Sequence, residues 1–204
     1  DQRRVAVDDA LERFEVVTET TDFGQTIEFT SDDLGLTEKE SDLPTFRRGC
    51  AVEADASDNI YHIVTLGAGA LLDGFTLTGG NADGSETAAF GSAVYTPEGS
   101  ADLVNCSVSD NSGTAVGGTG IAILDTVFEN NDTAIAQEDT AATVIGSSFM
   151  GNETGIYLDR APAMVDDCVF EGSGVAMAGI SWPADTQISN SVFTTNERAI
   201  DASG

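Results

Sequence analysis

With 204 residues the chain is long enough for one domain with a substantial core, and a 41% hydrophobic content is enough to build it. Thirty-five acidic residues against eight basic ones give a formal net charge of -27, with Lys39 the only lysine; that field repels nucleic acid, anionic lipid and polyuronate substrates. No run of 18 apolar residues occurs, which excludes a membrane-spanning helix. Asp1-Gln2-Arg3-Arg4 is not followed by the apolar stretch of a signal peptide, so a mature or trimmed form is expected.

In chain order, residues 1–49 read as an N-terminal cap and 50–204 as an array of repeats. Val5 to Val17 has apolar positions at 7, 10, 11 and 14, the spacing of an amphipathic helix that would cover the open top of a solenoid. Thr26-Ile-Glu-Phe-Thr30 reads as an early strand and Ser31 to Arg48 as an acidic loop. Cys50 to Ala54 and Tyr61 to Leu66 are expected to supply the first coils.

From residue 72 one pattern recurs six times: an apolar residue, then Asn, Asp or Gly two later, a small residue, and an apolar anchor. The instances begin at Leu72, Leu103, Ile123, Val144, Val165 and Ile188, and their anchors are Leu77, Val108, Phe128, Phe149, Phe170 and Phe193. Three residues beyond an anchor stands Asn111, Asn131, Asn152, Ser173 or Asn196. A small-apolar pair follows at Ala115-Val116, Ala134-Ile135, Gly155-Ile156, Ala176-Met177 and Ala199-Ile200. Anchor spacings of 31, 20, 21, 21 and 23 residues are too short for crossover helices. They suit coils of three short strands separated by residues that tolerate left-handed backbone angles. The expected fold is all-β, a right-handed parallel β-helix with about 21-residue coils, seven or eight in number, and an N-terminal capping helix. Anchors would stack as one inward ladder and the asparagines as a second ladder at a bend.

Asn59-Ile-Tyr-His-Ile-Val64, the run Leu72-Asp-Gly-Phe-Thr-Leu-Thr-Gly-Gly-Asn81 and the Leu-x-Asn-Cys-x-Val-x-x-Asn form at 103–111 carry a family likeness. Over about residues 50–200 the chain resembles secreted or surface β-helix repeat proteins of the pectate-lyase-like superfamily. The resemblance implies an extracellular or cell-surface protein; because the superfamily also holds lyases and glycosidases, it does not decide whether the chain is an enzyme.

Candidate sites are few. Asp73, Asp125, Asp166 and Asp167 gather at one bend and are the only set that could supply a glycosidase pair. Asn105, Gly146 and Asn190 hold equivalent places, so turn propensity accounts for the acids without catalysis. Arg160 and Arg198, the only basic residues of the repeats, fall on different turns, and His62, the only histidine, reads as an outward strand residue. No catalytic or cofactor-binding residue is assigned. Calcium is the one metal considered, at Asp55, Asp58 and Asn59, which lack the glycine and distal glutamate of an EF-hand loop. Cys106 and Cys168 occupy equivalent positions three coils apart, beyond disulfide reach, and are expected to be unpaired; Cys50 is left open. Acceptor patterns for glycosylation begin at Asn105, Asn131 and Asn152.

Contacts are expected at the insertion from Asn81 to Gly91, through Asn81, Asp83, Glu86 and Phe90, and at an exposed Trp182. Val127, Val169 and Val192 would line one flat face. The chain stops in mid-coil at Ala199 to Gly204, read either as a cut from a longer protein or as an edge that pairs with another subunit. The sequence therefore favours a non-catalytic structural or adhesive module, self-associating or binding surface proteins or glycans, and without nucleic acid as a partner. A carbohydrate-active or carbohydrate-binding domain is the alternative. Lysine-poor acidity also suits a high-salt habitat, where screening removes self-repulsion.

Overall fold

A left-handed residue sits at each corner of the coils. In the computed structural model, residues 61–82, 90–97 and 99–202 are described in full, together with the backbone of five strands among the first sixty residues. At the first corner, Gly74, Asn105, Asp125, Gly146, Asp167 and Asn190 all have φ between 48° and 80°. At the second, Gly79, Asp110, Asn130, Gly151, Gly172 and Thr195 do the same, with φ between 53° and 79°. Gly120, Asp139, Arg160 and Ser181 mark the third. Glycine, asparagine and aspartate enter this region most cheaply, which is why the repeat is punctuated by them.

Between corners the chain runs in strands of two to six residues, collected into three parallel sheets of seven strands each. Sheet I takes one strand from every coil, from Thr45–Arg47 to Gln187–Ser189; sheet II runs from Ala51–Glu53 to Val192–Thr194, and sheet III from Val64–Thr65 to Arg198–Asp201. The result is the expected all-β solenoid, with Ile121 paired to Ala142 and Ala142 to Ala163 at 21-residue intervals.

The N-terminal expectation needs correction. Arg4–Val7 and Phe14–Glu19 are antiparallel strands with Val7 opposite Phe14, and Thr26–Phe29 adds a third strand as anticipated. Two of the four positions in the supposed helical stripe therefore lie across a strand pair, and the intervening residues 8–13 are outside the described part. Valine-rich segments bordered by charged residues carry strand propensity that a three-to-four spacing masked. No helix occurs among the described residues, so none there crosses a membrane.

The inward ladders follow the expected register. Leu77, Val108, Phe128, Phe149, Phe170 and Phe193 are successive partners in sheet II. The four phenylalanine rings stack nearly parallel at 4.9, 4.6 and 4.8 Å, and Phe128, Phe149 and Phe170 are fully buried. Burial of each such ring contributes on the order of 2–3 kcal/mol. Val116, Ile135, Ile156, Met177 and Ile200 stack likewise in sheet III. Parallel coils make these inward rows repeat one chemical choice.

Candidate functional site

The bend aspartates divide into two rows. Asp125 and Asp167 are themselves the left-handed corner residues, equivalent to Asn105 and Asn190. Asp73 and Asp166 stand one position earlier, at the end of sheet I strands. Their carboxylates staple coils together. Asp73 Oδ1 accepts from Asn105 Nδ2 at 3.0 Å. Asp166 Oδ1 accepts from Ser189 Oγ at 2.8 Å and Asn190 Nδ2 at 2.7 Å, and these bonds hold its carboxyl below the usual range. Each of these two acids thus bonds the corner of the next coil. No three acids, histidines or cysteines converge on a metal-sized point among the described residues; Asp55, Asp58 and Asn59 lie outside them.

The arginines are engaged. Arg160 Nε and Nη2 grip the two oxygens of Asp139 at 2.8 and 3.2 Å, while Nη1 meets Asp159 at 2.7 Å. The pairing raises the guanidinium pKa and lowers that of Asp139. Arg198 Nη1 contacts Asp201 Oδ2 at 2.6 Å.

His62 does not lie in a strand. It precedes the short strand Val64–Thr65, lies half-buried against Tyr95 with ring centroids 4.5 Å apart, and its Nδ1 is 3.1 Å from Gly91 O. Burial pushes its pKa down, against opposing backbone hydrogen bonds. Cys106 and Cys168 are buried free thiols with pKa values raised by desolvation. Each thiol lies near the carbonyl two residues back, and Thr126, Ser147 and Ser191 in the same row donate to the matching carbonyls. Cys50 is outside the described residues.

The asparagine ladder is complete except at Ser173. Asn111, Asn131, Asn152 and Asn196 each donate Nδ2 to the carbonyl of the anchor one coil earlier, at 2.9 to 3.3 Å. Asn131 and Asn152 are 2% and 1% exposed, so their amides are committed to the interior and unavailable to a glycosyl donor in the folded chain. Asn105 is exposed.

Among the contact candidates, Asn81 forms a bridge to Ser112, and Phe90 is half-buried beside Gly117. Asp83 and Glu86 lie outside the described residues. Trp182 is half-buried and packs against the core, its Nε1 buried without a partner. The valine strip is broken, because the row reads Ser107, Val127, Ser148, Val169, Val192. A second apolar strip lies on sheet I. Val104, Leu124 and Ile145 are consecutive outward residues of sheet I. Their signal was the second member of the doublets Leu103-Val104, Ile123-Leu124 and Val144-Ile145, where strict alternation would place a polar residue.

No protein-family model, curated protein or solved structure matches the chain.

Proposed function

We propose that the chain is a non-catalytic, extracellular or cell-surface structural module of the pectate-lyase-like kind, which associates end to end through the edges of its three sheets. The observation that carries this reading is the use of the repeat's polar residues. The strand-end acids Asp73 and Asp166 and the buried asparagines Asn111, Asn131 and Asn152 all bond one coil to the next. Chemistry that would serve a reaction is spent on axial cohesion. The strands Gln187–Ser189, Val192–Thr194 and Arg198–Asp201 form one edge of the three sheets, with the half-buried Phe193 and Ile188 and the 47% exposed Ile200 at their centre. Another coil of the same type would pair there by the geometry that joins all the others.

The net charge of -27 supports a saline setting, in which the Debye length falls to about 3 Å at 1 M salt and copies can approach. Sedimentation velocity and electron microscopy of the purified chain, in 0.05 and 2 M NaCl with and without calcium, test the proposal. Salt-dependent filaments or axial oligomers support it. Monomers in every condition remove the end-to-end contact.

Carbohydrate binding is the second reading, supported by one row of sheet III in which Tyr95, Gly117, Ala136 and Tyr157 are successive partners, both tyrosines half-exposed. Aromatic rings of this kind stack on sugars. Glycan-array binding lost on Tyr157→Ala would favour it over the structural module.

A further inference from the structure

Sheet I presents two outward rows. One reads Leu71, Asp102, Ala122, Thr143, Met164, Gln187, and the other Asp73, Val104, Leu124, Ile145, Asp166, Ser189. Leu103, Ile123, Val144 and Val165 between them are fully buried, so the flanking residues face away from the core. Val104, Leu124 and Ile145, each half-buried, nevertheless form a continuous apolar line roughly 10 Å long at one coil per ~4.8 Å, widened by Ala122 and by Met164, which is 43% exposed.

Carboxylates frame that line. Asp73 and Asp102 stand at its upper end, Asp166 at its lower end, and the exposed Asp125 and Asp167 run along the adjoining corner. Arg47 is the register neighbour of Asp73. The ion pairs of the described residues are those of Arg160 and Arg198, which follow and begin sheet III strands; none of them involves Asp102, Asp125 or Asp167, and Asp166 is met only by the neutral donors Ser189 and Asn190.

We propose that this face of sheet I docks a cationic partner segment whose apolar side chains cover Val104, Leu124 and Ile145 while its lysines or arginines meet the surrounding aspartates. Charge decides the occupant. A second copy would set like carboxylates against each other, and nucleic acid or anionic lipid meets the same repulsion. The line has no aromatic ring on which a sugar would stack. A basic segment alternating with apolar residues satisfies both features at once. The surface lies on the side of the solenoid and is independent of the edges invoked for end-to-end association.

The test uses the full chain and a fluorescent synthetic peptide of alternating lysine and isoleucine. Two controls replace its lysines by glutamate or its isoleucines by serine. Anisotropy should report saturable binding of the lysine–isoleucine peptide only, weakened tenfold or more by Leu124→Ser combined with Ile145→Ser. Val169→Ser with Val192→Ser, on sheet II, should change it less than twofold. Asp102→Asn with Asp167→Asn should flatten the salt dependence. Because the strip variant could perturb folding, methyl chemical shifts of Val104, Leu124 and Ile145 in the unmutated chain provide a second readout, and they should move on peptide addition. Equal weakening by the sheet II pair, or binding by the serine control peptide, would mean adsorption to overall charge and overturn the proposal. So would a high-salt dimer abolished by Leu124→Ser and Ile145→Ser, which would assign the face to a second copy.

Discussion

Asn131 Oδ1 receives two hydrogen bonds from Asn111, one from its backbone N–H at 3.2 Å and one from its Nδ2 at 2.9 Å. Asn131 passes the pattern on, donating Nδ2 to Val108 O and to Asn152 Oδ1, both at 2.9 Å. Asn131→Ala would take the acceptor from the Asn111 backbone N–H and the Nδ2 donor from Val108 O and Asn152 Oδ1, in a site with almost no water access, while Asn111 Nδ2 keeps Leu77 O and Ser109 O. The expected loss is about 3 kcal/mol or more of unfolding free energy, measured by urea denaturation. A loss under about 1 kcal/mol would show that the ladder contributes little cohesion.

Ser173 interrupts this ladder. Its hydroxyl is buried without a partner, while its backbone N–H is satisfied by Asn196 Oδ1 at 2.9 Å. Ser173→Asn should place an amide where Asn152 and Asn196 already have one and raise stability by about 1 kcal/mol. The urea midpoint should rise with the slope unchanged.

Phe149 lies between Phe128 and Phe170 at 4.9 and 4.6 Å. Phe149→Ala would leave a cavity bounded by two flat rings that cannot collapse onto each other, at a cost of about 3–5 kcal/mol. Phe149→Leu should cost less than half as much, since Leu77 fills the same row upstream. Thermal melts of the pair read the difference.

Thr195 is a β-branched residue held at φ 55°, in a corner row where Asp110 and Asn130 have φ 53° and 54°. Thr195→Asn keeps the corner and removes the clash of Cβ branching with the left-handed backbone, for an expected gain of about 1 kcal/mol. An unchanged melting temperature would mean that the threonine hydroxyl compensates the strain.

His62 gives a pH signature. Burial lowers its folded pKa beneath the unfolded value of about 6.5. Between the two values the unfolded chain binds more protons, so this contribution to stability is complete above the unfolded pKa and is lost as pH falls through the folded one. As the only histidine it yields a single imidazole titration by proton NMR, with a midpoint expected below 6.5. His62→Gln should weaken the acid sensitivity of the melt across that window.

Periodic features were legible in the sequence because a parallel coil repeats each side-chain environment every turn. The anchor row, the asparagine row and the small-apolar pairs could be read directly from spacing. Features peculiar to one coil were not. Trp182 follows the left-handed Ser181, which returns its indole to the core, and no neighbouring coil advertises that path. His62 acquires its environment from Gly91 and Tyr95, about thirty residues away. The N-terminal stripe was ambiguous for a different reason: apolar spacing over so few residues fits a helix and a bent strand pair alike. The sheet I strip spans only three coils, Val104, Leu124 and Ile145, and Asp73 and Asp166 hold its place above and below, so it has no full-length period to announce it.

Residues 121–141 and 142–162 are two whole coils of equal length whose strands pair position for position. Excision of 142–162 would bring Ala163 over Ile121, with Val165 meeting Ile123 and Phe170 meeting Phe128, so the inward rows would close on partners of the same kind. Length is thus a digital variable in this molecule, changed in steps of roughly 4.8 Å by whole-unit duplication or loss. A lineage carrying it can retune the reach of a surface while its buried rows keep the same kind of neighbour.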